Sequence, residues 1–460
     1  MILPFLNRAE ELGRISRQLK KRGSSFICLY GRRRCGKSRL VREALARRLT
    51  AYYTGDDREQ ALQLRDAARE ISRLIPGFAR VEYPGWAELF ERFEKDAPSG
   101  ATLVLDEFPS MVAASPALPS LLQKFIDRLA EGNLNVIVLG SSQRMMQGAL
   151  LEPGAPLYGR ADEILKIEPL EPRWIMPALK LANAEQAVRH YAVWGGIPRY
   201  WELAVERGRL ERAVVDLVLS PLGVLHREPE RLLRDDLRDT RQAASILALI
   251  GKGCQRMSEI AGRLQRPATS LSRPLRVLVD MGLVARDVPF GRTTKDTKRS
   301  LYKIADPFLR FWYRFVEGHR ARLEAGQAQI VWDEQRVAWN HHLASGWEEM
   351  VRRSVARAPV LGERWNPASR WWGSGLDGKP MELDLVAGAV GNTEKLLVGE
   401  VKLQSDLRKA KETLARLEER ARHLPAATGK RVICCLWVLR MRSKQRPANL
   451  FGAEEVVGGV

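Results

Sequence analysis

A glycine-rich loop near the amino terminus has the composition of a phosphate-binding site. Residues 31–38 read GRRRCGKS and fit the spacing G-x-x-x-x-G-K-[ST], between an apolar run and an amphipathic one. Glycines let backbone N–H groups turn inward around phosphate, and a helix that starts at the loop attracts anions. Lys37 would neutralise phosphate oxygens, and Ser38 would ligate Mg²⁺. The loop therefore predicts a site for ATP with Mg²⁺, built from Gly31, Gly36, Lys37 and Ser38.

Two adjacent acids supply the second half of the chemistry that such a loop requires. Residues 103–107 read LVLDE, so Asp106 and Glu107 stand where a buried strand ends. Asp106 can hold Mg²⁺ through water, and Glu107 can polarise the water that attacks the terminal phosphate. The pair favours hydrolysis of the nucleotide over binding alone, and Glu107 is the predicted catalytic residue.

Two serines follow a third apolar run, because residues 135–142 read NVIVLGSS. A polar side chain at the end of this strand could sense the γ-phosphate, and Ser141 is the predicted contact. Ser141 and Ser142 could equally cap the helix that follows them. The sequence leaves both roles open.

A second group of charged side chains occupies two apolar runs near the carboxyl terminus. Residues 381–386 read MELDLV and residues 398–402 read VGEVK, with Gly391-Asn392 between the runs. Apolar runs joined by such a turn predict an antiparallel hairpin.

Alternation along these strands brings charged groups to shared faces. Glu382 and Asp384 share one face of the first strand, and Glu400 and Lys402 share one face of the second. Two carboxylates beside a lysine at a sheet end suit metal-dependent hydrolysis of a phosphodiester. Asp384 and Glu400 would ligate Mg²⁺, while Lys402 would orient the water or stabilise developing charge. Ordinary charge alternation on a solvated hairpin is the competing interpretation.

The elements that must position the first group alternate between short apolar strands and amphipathic helices. This alternation predicts an α/β fold whose parallel sheet is buried on both faces and connected by right-handed crossovers. The predicted strands are residues 25–30, 101–108, 135–142 and an edge strand at 164–170, and the predicted helices are residues 37–49 and 121–129.

From residue 173 onward the pattern becomes helical. Between residues 241 and 306, three helical segments precede a glycine- and charge-rich stretch and a short strand, LYKIAD. That order is typical of a winged helix-turn-helix. Residues 320–340 are polar and lack a clear strand, so we expect a linker there, before a carboxyl-terminal α/β domain.

The winged-helix segment carries a surplus of cations. Its third helix presents polar and basic side chains suited to a major groove, namely Ser270, Ser272, Arg273 and Arg276. Its predicted wing adds cations suited to phosphates, namely Arg292, Lys295, Lys298 and Arg299. DNA is the predicted partner. Packing of the segment against the nucleotide domain or a partner protein is the alternative.

The composition bounds the class of protein. The chain of 460 residues is too long for one core and suggests about three domains. A net charge of +20, from 75 Lys and Arg against 55 Asp and Glu, favours nucleic acid as a partner. The five cysteines form no metal-ligand spacing, which indicates a reducing compartment. No apolar run reaches the ~20 residues of a membrane span, so we expect a cytoplasmic protein without membrane contact.

Residues 5–316 resemble the archaeal-type ATPase family within the STAND and AAA+-related NTPases. The segments that carry the resemblance are FLNRAE at 5–10, PLYGR at 156–160, GGIP at 195–198 and DPFLRFW at 306–312. The resemblance implies a P-loop core, a helical lid and a winged helix. It also implies that Asn7 and Arg8 lie near the adenine and that Arg160 meets the γ-phosphate as a sensor or finger. Asn7 departs from the glycine usual in the broader class.

The carboxyl-terminal hairpin resembles the PD-(D/E)XK restriction-endonuclease-like fold, which is often fused to this ATPase family. The resemblance rests on the D…ExK order between two apolar strands. It implies that Glu348, in GWEE at residues 346–349, is the acid on the preceding helix of the site. Trp371 and Trp372 also match, as core residues rather than as a base-stacking platform.

Together these features predict an ATPase core at residues 1–172, a helical lid at 173–238, a winged helix-turn-helix at 239–319, a linker at 320–340 and a nuclease-like domain at 341–460. The predicted function is an ATPase that acts on DNA, with a Mg²⁺-dependent deoxyribonuclease as its carboxyl-terminal domain. The alternative is a signalling switch whose carboxyl-terminal domain is inactive and only binds a protein or nucleic acid. A homo-oligomer is compatible with either function.

Overall fold

A five-stranded parallel sheet forms the centre of the amino-terminal part of the chain. Its strands are Ser25–Tyr30 (β1), Thr50–Thr54 (β2), Thr102–Asp106 (β3), Asn135–Gly140 (β4) and Glu163–Lys166 (β5). β1, β3 and β4 are buried along their whole lengths, as parallel strands covered by helices on both faces are. The strand order is β2-β3-β4-β1-β5. The carboxyl ends of β1 and β3 therefore lie on the same side of the sheet, with β4 between the two strands.

Helices connect these strands and complete a compact unit, Phe5–Pro169 with Leu232–Arg238. Its core is rich in aromatic side chains, among which Phe90 stacks on Phe125 with ring centroids 4.9 Å apart. The helices are Ala9–Gln18 (α1), Lys37–Ala44 (α2), Gln60–Ser72 (α3), Trp86–Asp96 (α4), Phe108–Ala114 (α5), Leu118–Arg128 (α6) and Gln143–Leu150 (α7).

The structure is a computed structural model that describes residues 3–129, 132–150, 152–237, 239–293, 299–441 and 446–458. It confirms the predicted α/β fold and parallel sheet, with the strand at residues 164–170 present at one edge as the shorter β5. The sequence prediction missed β2. This strand reads TAYYT, and only part of its surface is buried, so it lacks the apolar run that marks the central strands.

The chain from residue 170 to 237 is helical, as the sequence predicts. Its helices are Ile175–Leu179 (α8), Ala184–Trp194 (α9), Pro198–Val205 (α10), Leu210–Val214 (α11) and Glu228–Asp236 (α12). The turn between α9 and α10 is tightly packed, because Gly195 has φ +57° and a Cβ on Gly196 would collide with the Leu170 backbone.

A second compact unit comprises Met1–Pro4, Leu170–Arg231 and Asp239–Val460. Within it, three helices and an antiparallel hairpin follow one another in the predicted order. They are Thr240–Gly251 (α13), Met257–Arg263 (α14), Ser272–Asp280 (α15), Val284–Asp287 (β6) and Leu301–Ile304 (β7). Lys295 and Lys298 of the predicted wing lie outside the described residues. The winged helix itself stays a prediction.

The predicted linker at residues 320–340 is wrong, because this segment is helical and packed. The segment contains Arg320–Glu324 (α17), Ala328–Glu334 (α18) and the start of Arg336–Val355 (α19), and the helix Pro307–Phe315 (α16) precedes it. Leu323 and Val331 are fully buried. A few apolar side chains point inward from otherwise polar surface helices, which is why the composition resembles that of a linker.

An aromatic cluster around α16, α18 and α19 contains a histidine. The centroid of the His342 ring lies 5.5 Å from that of Phe311 and 5.8 Å from that of Trp339. Burial lowers the pKa of His342 to about 3, so the ring is neutral, and its Nε2–H donates to the Ala192 carbonyl at 2.8 Å. His342 is therefore a core residue.

A mixed five-stranded sheet forms the carboxyl-terminal part of this unit, in the order β12-β11-β10-β9-β8 from the last strand to the first. Its elements are Ser369–Ser374 (β8), Pro380–Ala389 (β9), Asn392–Ser405 (β10), Leu407–Arg422 (α20), Arg431–Met441 (β11), Leu450–Phe451 (β12) and Glu454–Val457 (α21). β9 and β10 form the predicted antiparallel hairpin, and β10 pairs in parallel with β11. No helix in the described part of the chain is both long and apolar enough to span a membrane.

Candidate functional site

The glycine-rich loop joins β1 to α2, and its two motif glycines have backbone conformations that other residues rarely adopt. Gly31 has φ +146°, and a Cβ there would collide with the backbone of Ile167. Gly36, at φ +91°, directly precedes α2. The shape of the loop therefore requires both glycines, in addition to the close approach that a phosphate would need.

The Lys37 side chain is buried within this loop. Its ammonium donates to the carbonyl oxygens of Gly31 at 2.8 Å and Arg32 at 3.2 Å. Ser38 lies in the first turn of α2, where its hydroxyl is within hydrogen-bonding reach of Tyr52. The amino end of α2 adds the positive end of a helix dipole. The loop thus combines a cation, a hydroxyl and the amino end of a helix, which together can hold a triphosphate.

Arg8 braces the loop from the segment that precedes α1. Its guanidinium donates to the Cys35 carbonyl at 3.4 Å and to the Glu168 carbonyl, and it pairs with Glu11 at 2.8 Å. The resemblance placed Asn7 and Arg8 near the adenine. That placement stays a prediction. In the structure, the Arg8 side chain contacts the backbone of the loop and of the segment after β5, which fixes the position of the loop.

Asp106 holds a defined orientation at the end of β3. It is buried and accepts a hydrogen bond from the Tyr52 hydroxyl at 2.6 Å. Burial, followed by the charge of Asp106, raises the pKa of Tyr52, so the hydroxyl remains a donor. The backbone N–H of Glu107 donates to the other Asp106 oxygen at 2.9 Å. Two donors therefore fix the carboxylate that is predicted to hold Mg²⁺.

Glu107 lies just beyond the strand in a left-handed conformation, with φ +52°. Non-glycine residues in this region are uncommon and often occur at functional sites. The Glu107 carboxylate accepts a hydrogen bond from the Ser141 hydroxyl at 2.8 Å. The Ser142 hydroxyl instead accepts the Met145 N–H at 3.4 Å and caps α7. One serine thus contacts the predicted catalytic acid, and the other caps the next helix.

Arg160 lies away from the loop. Its guanidinium pairs with both carboxylate oxygens of Asp127, at 2.9 and 3.2 Å. It precedes β5, whose start pairs with Ile27 near the amino end of β1, whereas the loop follows the carboxyl end of β1. A strand of this length separates the two edges by ~17 Å. Arg160 therefore lies far from the glycine-rich loop of the same chain. Its role at the γ-phosphate, as a sensor or a finger, stays a prediction.

Three carboxylates come together on the carboxyl-terminal sheet. The pairing of β9 with β10 places Asp384 and Glu400 across the hairpin from each other, and the Val401 N–H donates to Asp384 at 2.9 Å. Burial first, and then the charges of Glu348 and Glu400, raise the pKa of Asp384 to about 6. The acids that the sequence singled out are therefore close enough to repel one another.

Two cations balance the charge of Glu400. The Lys402 ammonium lies 2.6 Å from one oxygen, and the Arg420 guanidinium lies 3.2 Å from the other. Within the described ranges, the Asp384 carboxylate has the Val401 N–H as its hydrogen-bond donor and forms no ion pair. The charge of Lys402 lowers the pKa of Asp384, but burial and the neighbouring acids together raise it by more.

A divalent cation fits the donor chemistry at this point. In the described part of the chain, no group of three or more His, Cys, Asp or Glu side chains is arranged to hold a metal ion by itself. Asp384 and Glu400 nevertheless supply two carboxylates, and Mg²⁺ is usually held by one or two carboxylates with water completing its shell. The raised pKa of Asp384 indicates the same need for a cation.

Comparisons with known proteins bear on both parts of the chain. A family model described as an ATPase domain predominantly from Archaea matches residues 5–203. Residues 5–203 are therefore similar to an archaeal ATPase domain. A second family model, described as archaeal and bacterial proteins of unknown function, matches residues 312–414. This second range contains all the predicted residues of the carboxylate site.

Individual proteins are similar over most of the chain. An uncharacterized protein of Methanocaldococcus jannaschii is 27% identical over 406 residues, which cover 86% of this chain and 87% of the relative. A Walker-type ATPase of Pyrococcus abyssi has a TM-score of 0.53 at 21% identity, over 67% of this chain and 96% of that structure. The ORC2 protein of Aeropyrum pernix has a TM-score of 0.48 at 15% identity, over 71% of this chain and 97% of that structure. The likeness to the Pyrococcus structure shows that the ATPase domain shares a P-loop NTPase fold.

Sequence reasoning missed the residues that orient the predicted ones. Tyr52 belongs to the edge strand that the prediction missed, and only the pairing of β2 with β3 brings it to Asp106. Arg352 donates to the Asp384 carbonyl at 3.0 Å and lies 3.6 Å from Glu348. The four-residue spacing from Glu348 to Arg352 was a usable signal for this pair on a helix. Arg420 gave no comparable signal, because it approaches from a separate helix.

Asp384→Asn is expected to stabilise the chain at neutral pH in the absence of metal. The folded-state pKa of about 6 lies above the ordinary value of 3.8, so ionisation of Asp384 destabilises the fold above pH 6. This cost disappears as the pH falls through 6 towards the ordinary value. Unfolding in EDTA at about pH 7 should show a gain on the order of 1–2 kcal/mol, and at about pH 4 no gain.

The matched control is Asp57→Asn, which removes an exposed aspartate of the ATPase domain and should change stability little at either pH. Asparagine keeps an acceptor for the Val401 N–H, so the comparison isolates the charge. Equal stability of Asp384→Asn and the parent at neutral pH would contradict the inferred repulsion.

Proposed function

We propose that this chain is an ATP-hydrolysing switch that acts on DNA, with metal-dependent phosphodiester hydrolysis in its carboxyl-terminal domain. The observation that carries the ATPase half is that the glycine-rich loop, Asp106 and Glu107 lie at the same edge of one parallel sheet. The family of the ATPase domain supports hydrolysis in addition to nucleotide binding.

In the proposed ATPase reaction, Lys37 and the loop N–H groups stabilise negative charge on the phosphate oxygens. Glu107 accepts a proton from the water that attacks the γ-phosphorus, the bond from that phosphorus to the bridging oxygen breaks, and ADP and phosphate leave. Ser141 holds the Glu107 carboxylate in place. Ser38 and Asp106 would hold Mg²⁺, which supplies positive charge to the β- and γ-phosphates.

Arg160 is proposed to act on a second copy of the chain. It lies at the opposite edge of the sheet from the glycine-rich loop, so as a finger it would complete the site of a neighbour. Its surface ion pair with Asp127 would open in that arrangement. The proposed finger role therefore requires that the chain forms a homo-oligomer.

Lys37→Ala is expected to abolish ATP binding, because the phosphates lose the cation buried in the loop. Glu107→Gln should retain binding and lose turnover by ~10²-fold or more, because it removes the base but not the Mg²⁺ ligand. Calorimetric titration and phosphate release separate the two effects. Glu91→Gln, at an exposed position on α4, controls for the lost charge. Parental turnover in Glu107→Gln would contradict its assignment.

Tyr52→Phe is expected to raise the Mg²⁺ concentration that half-saturates ATP hydrolysis, because Asp106 loses the donor that orients it. Loss of a partner behind a metal ligand typically weakens metal binding by ~10- to 100-fold. Tyr53→Phe is the matched control on the same strand, since the Tyr53 hydroxyl contacts Gln63 at 3.4 Å instead. An unchanged Mg²⁺ requirement in Tyr52→Phe would exclude this orienting role.

The nuclease half of the proposal is supported by the approach of Glu348, Asp384 and Glu400 to one another beside Lys402. Asp384 and Glu400 would hold a divalent cation, which activates water and neutralises phosphate charge. Lys402 stabilises the phosphate as water adds to phosphorus and one ester P–O bond breaks. The proton that the water loses is balanced by the proton that the leaving sugar oxygen gains.

The net charge of +20 supports DNA as the substrate. The predicted major-groove residues Arg273 and Arg276 are exposed on α15, where they are available for phosphates or bases. One observation favours the alternative of a signalling switch with a binding-only domain. Both oxygens of Glu400 are already paired with cations, which a metal ion would have to displace.

Asp384→Ala is expected to abolish DNA cleavage in Mg²⁺ or Mn²⁺ while leaving ATP hydrolysis intact, because the two reactions use separate carboxylates. Lys37→Ala should retain the cleavage chemistry. Both activities are measured on the same preparations of full chain, with single- and double-stranded DNA. Parental cleavage by Asp384→Ala would refute the assignment. No cleavage by the parent with either metal and ATP present would favour the binding-only alternative.

A further inference from the structure

A groove with a volume of 500 Å³ lies between the three-helix segment and the carboxyl-terminal sheet, within one compact unit. Two exposed arginines, Arg256 and Arg299, line it from the side of the three-helix segment. Trp372 on β8 and Glu382 on β9 line it from the side of the sheet. The groove therefore combines positive charge with an aromatic ring, two strands away from the Glu400 carboxylate.

Two residues between β6 and β7, Phe290 and Arg299, contact the carboxyl-terminal sheet. The Phe290 N–H donates to the Arg370 carbonyl at 2.8 Å, and the Phe290 side chain packs against the hydrophobic core of that sheet. Arg299 lies against β8, since a Cβ on Gly373 would be 3.7 Å from its guanidinium. This arginine is thus part of the groove wall.

Trp372 differs from its neighbour Trp371. Trp371 belongs to the buried core of the sheet, whereas Trp372 is partly exposed and lines the groove. The Arg370 guanidinium lies 5.8 Å from the centroid of the Trp372 ring, which helps to fix the ring in place. The expectation that these tryptophans are core residues holds for Trp371 only.

Basic side chains continue from the groove to the acids. Arg370 pairs with Glu382, so this acid does not oppose an anion in the groove. Arg420 donates to the Glu382 carbonyl and pairs with Glu400 at 3.2 Å. Glu382 and Asp384 are two positions apart on β9, or ~7 Å along the strand. Arginines, each paired with an acid, therefore lie between the groove and the carboxylate site.

We infer that this groove binds single-stranded DNA and leads it to Asp384, with Trp372 stacked on an unpaired base. The inference rests on the proposed nuclease role of the carboxylate site. Aromatic rings stack on any base, and arginines follow the phosphates of a single strand. Bases of a duplex are already stacked on each other, so an accessible ring in a groove selects an unpaired strand or a frayed end.

The test is fluorescence anisotropy of a labelled oligothymidylate with the full chain in EDTA, where cleavage cannot occur. Trp372→Ala should weaken binding by ~5- to 100-fold, while Trp372→Phe should retain most of it. Changing Arg256 and Arg299 together to alanine should lower the slope of log Kd against log salt by ~1.4, at ~0.7 for each phosphate contact. Arg73→Ala, at the exposed residue that follows α3, should leave binding unchanged.

Crosslinking of an iododeoxyuridine oligonucleotide, mapped by mass spectrometry, should identify Trp372. Equal binding by Trp372→Ala and the parent, or tighter binding of duplex, would overturn the inference. The inference would also be overturned if polyglutamate displaced the labelled oligothymidylate as well as unlabelled oligothymidylate does, because the groove would then respond to charge alone. Trp372-dependent binding without cleavage in Mg²⁺ would remove the nuclease and leave the groove assignment standing. Cleavage that does not depend on Trp372 would remove the groove assignment and leave the nuclease role standing.

Discussion

A carboxylate buried at a strand end must be met by donors or cations, because otherwise its charge opposes folding. Asp106 meets this requirement within the protein, through the Tyr52 hydroxyl and the Glu107 N–H. Asp384 has one N–H donor, and burial, followed by the charges of the neighbouring acids, raises its pKa to about 6. The first carboxylate is therefore oriented within the protein, whereas the second would be stabilised by the cation that we propose it binds.

The strand order determines which charged groups come together in each sheet. Because β4 lies between β1 and β3, the loop and the acids share one edge of the parallel sheet, and Ser141 at the end of β4 reaches Glu107 between them. The same order places Arg160 at the opposite edge, where its chemistry is available to another chain. In the carboxyl-terminal sheet, the antiparallel hairpin brings Asp384 and Glu400 together, although sixteen positions separate them in the chain.

The parts of both sites that depend on local spacing could be predicted from sequence. The loop, the acids after β3 and the β9–β10 hairpin follow from short motifs and from alternation. Contacts between distant segments could not be predicted. Tyr52 reaches Asp106 through an edge strand with little apolar signal, and Arg420 reaches Glu400 from α20. The helices of residues 320–340 were missed because their few buried side chains, such as Val331, are diluted by polar ones.

Two independent sites for divalent cations on one chain are the centre of this proposal. The most direct measurement is a titration of the chain with Mn²⁺, with and without a non-hydrolysable ATP analogue. Electron paramagnetic resonance of the free Mn²⁺ reports how much has bound. One site should fill without nucleotide and be lost in Asp384→Asn. A second site should appear with the analogue and be lost in Lys37→Ala. A single site under both conditions, or the loss of both sites in either variant, would contradict the separation of the two chemistries.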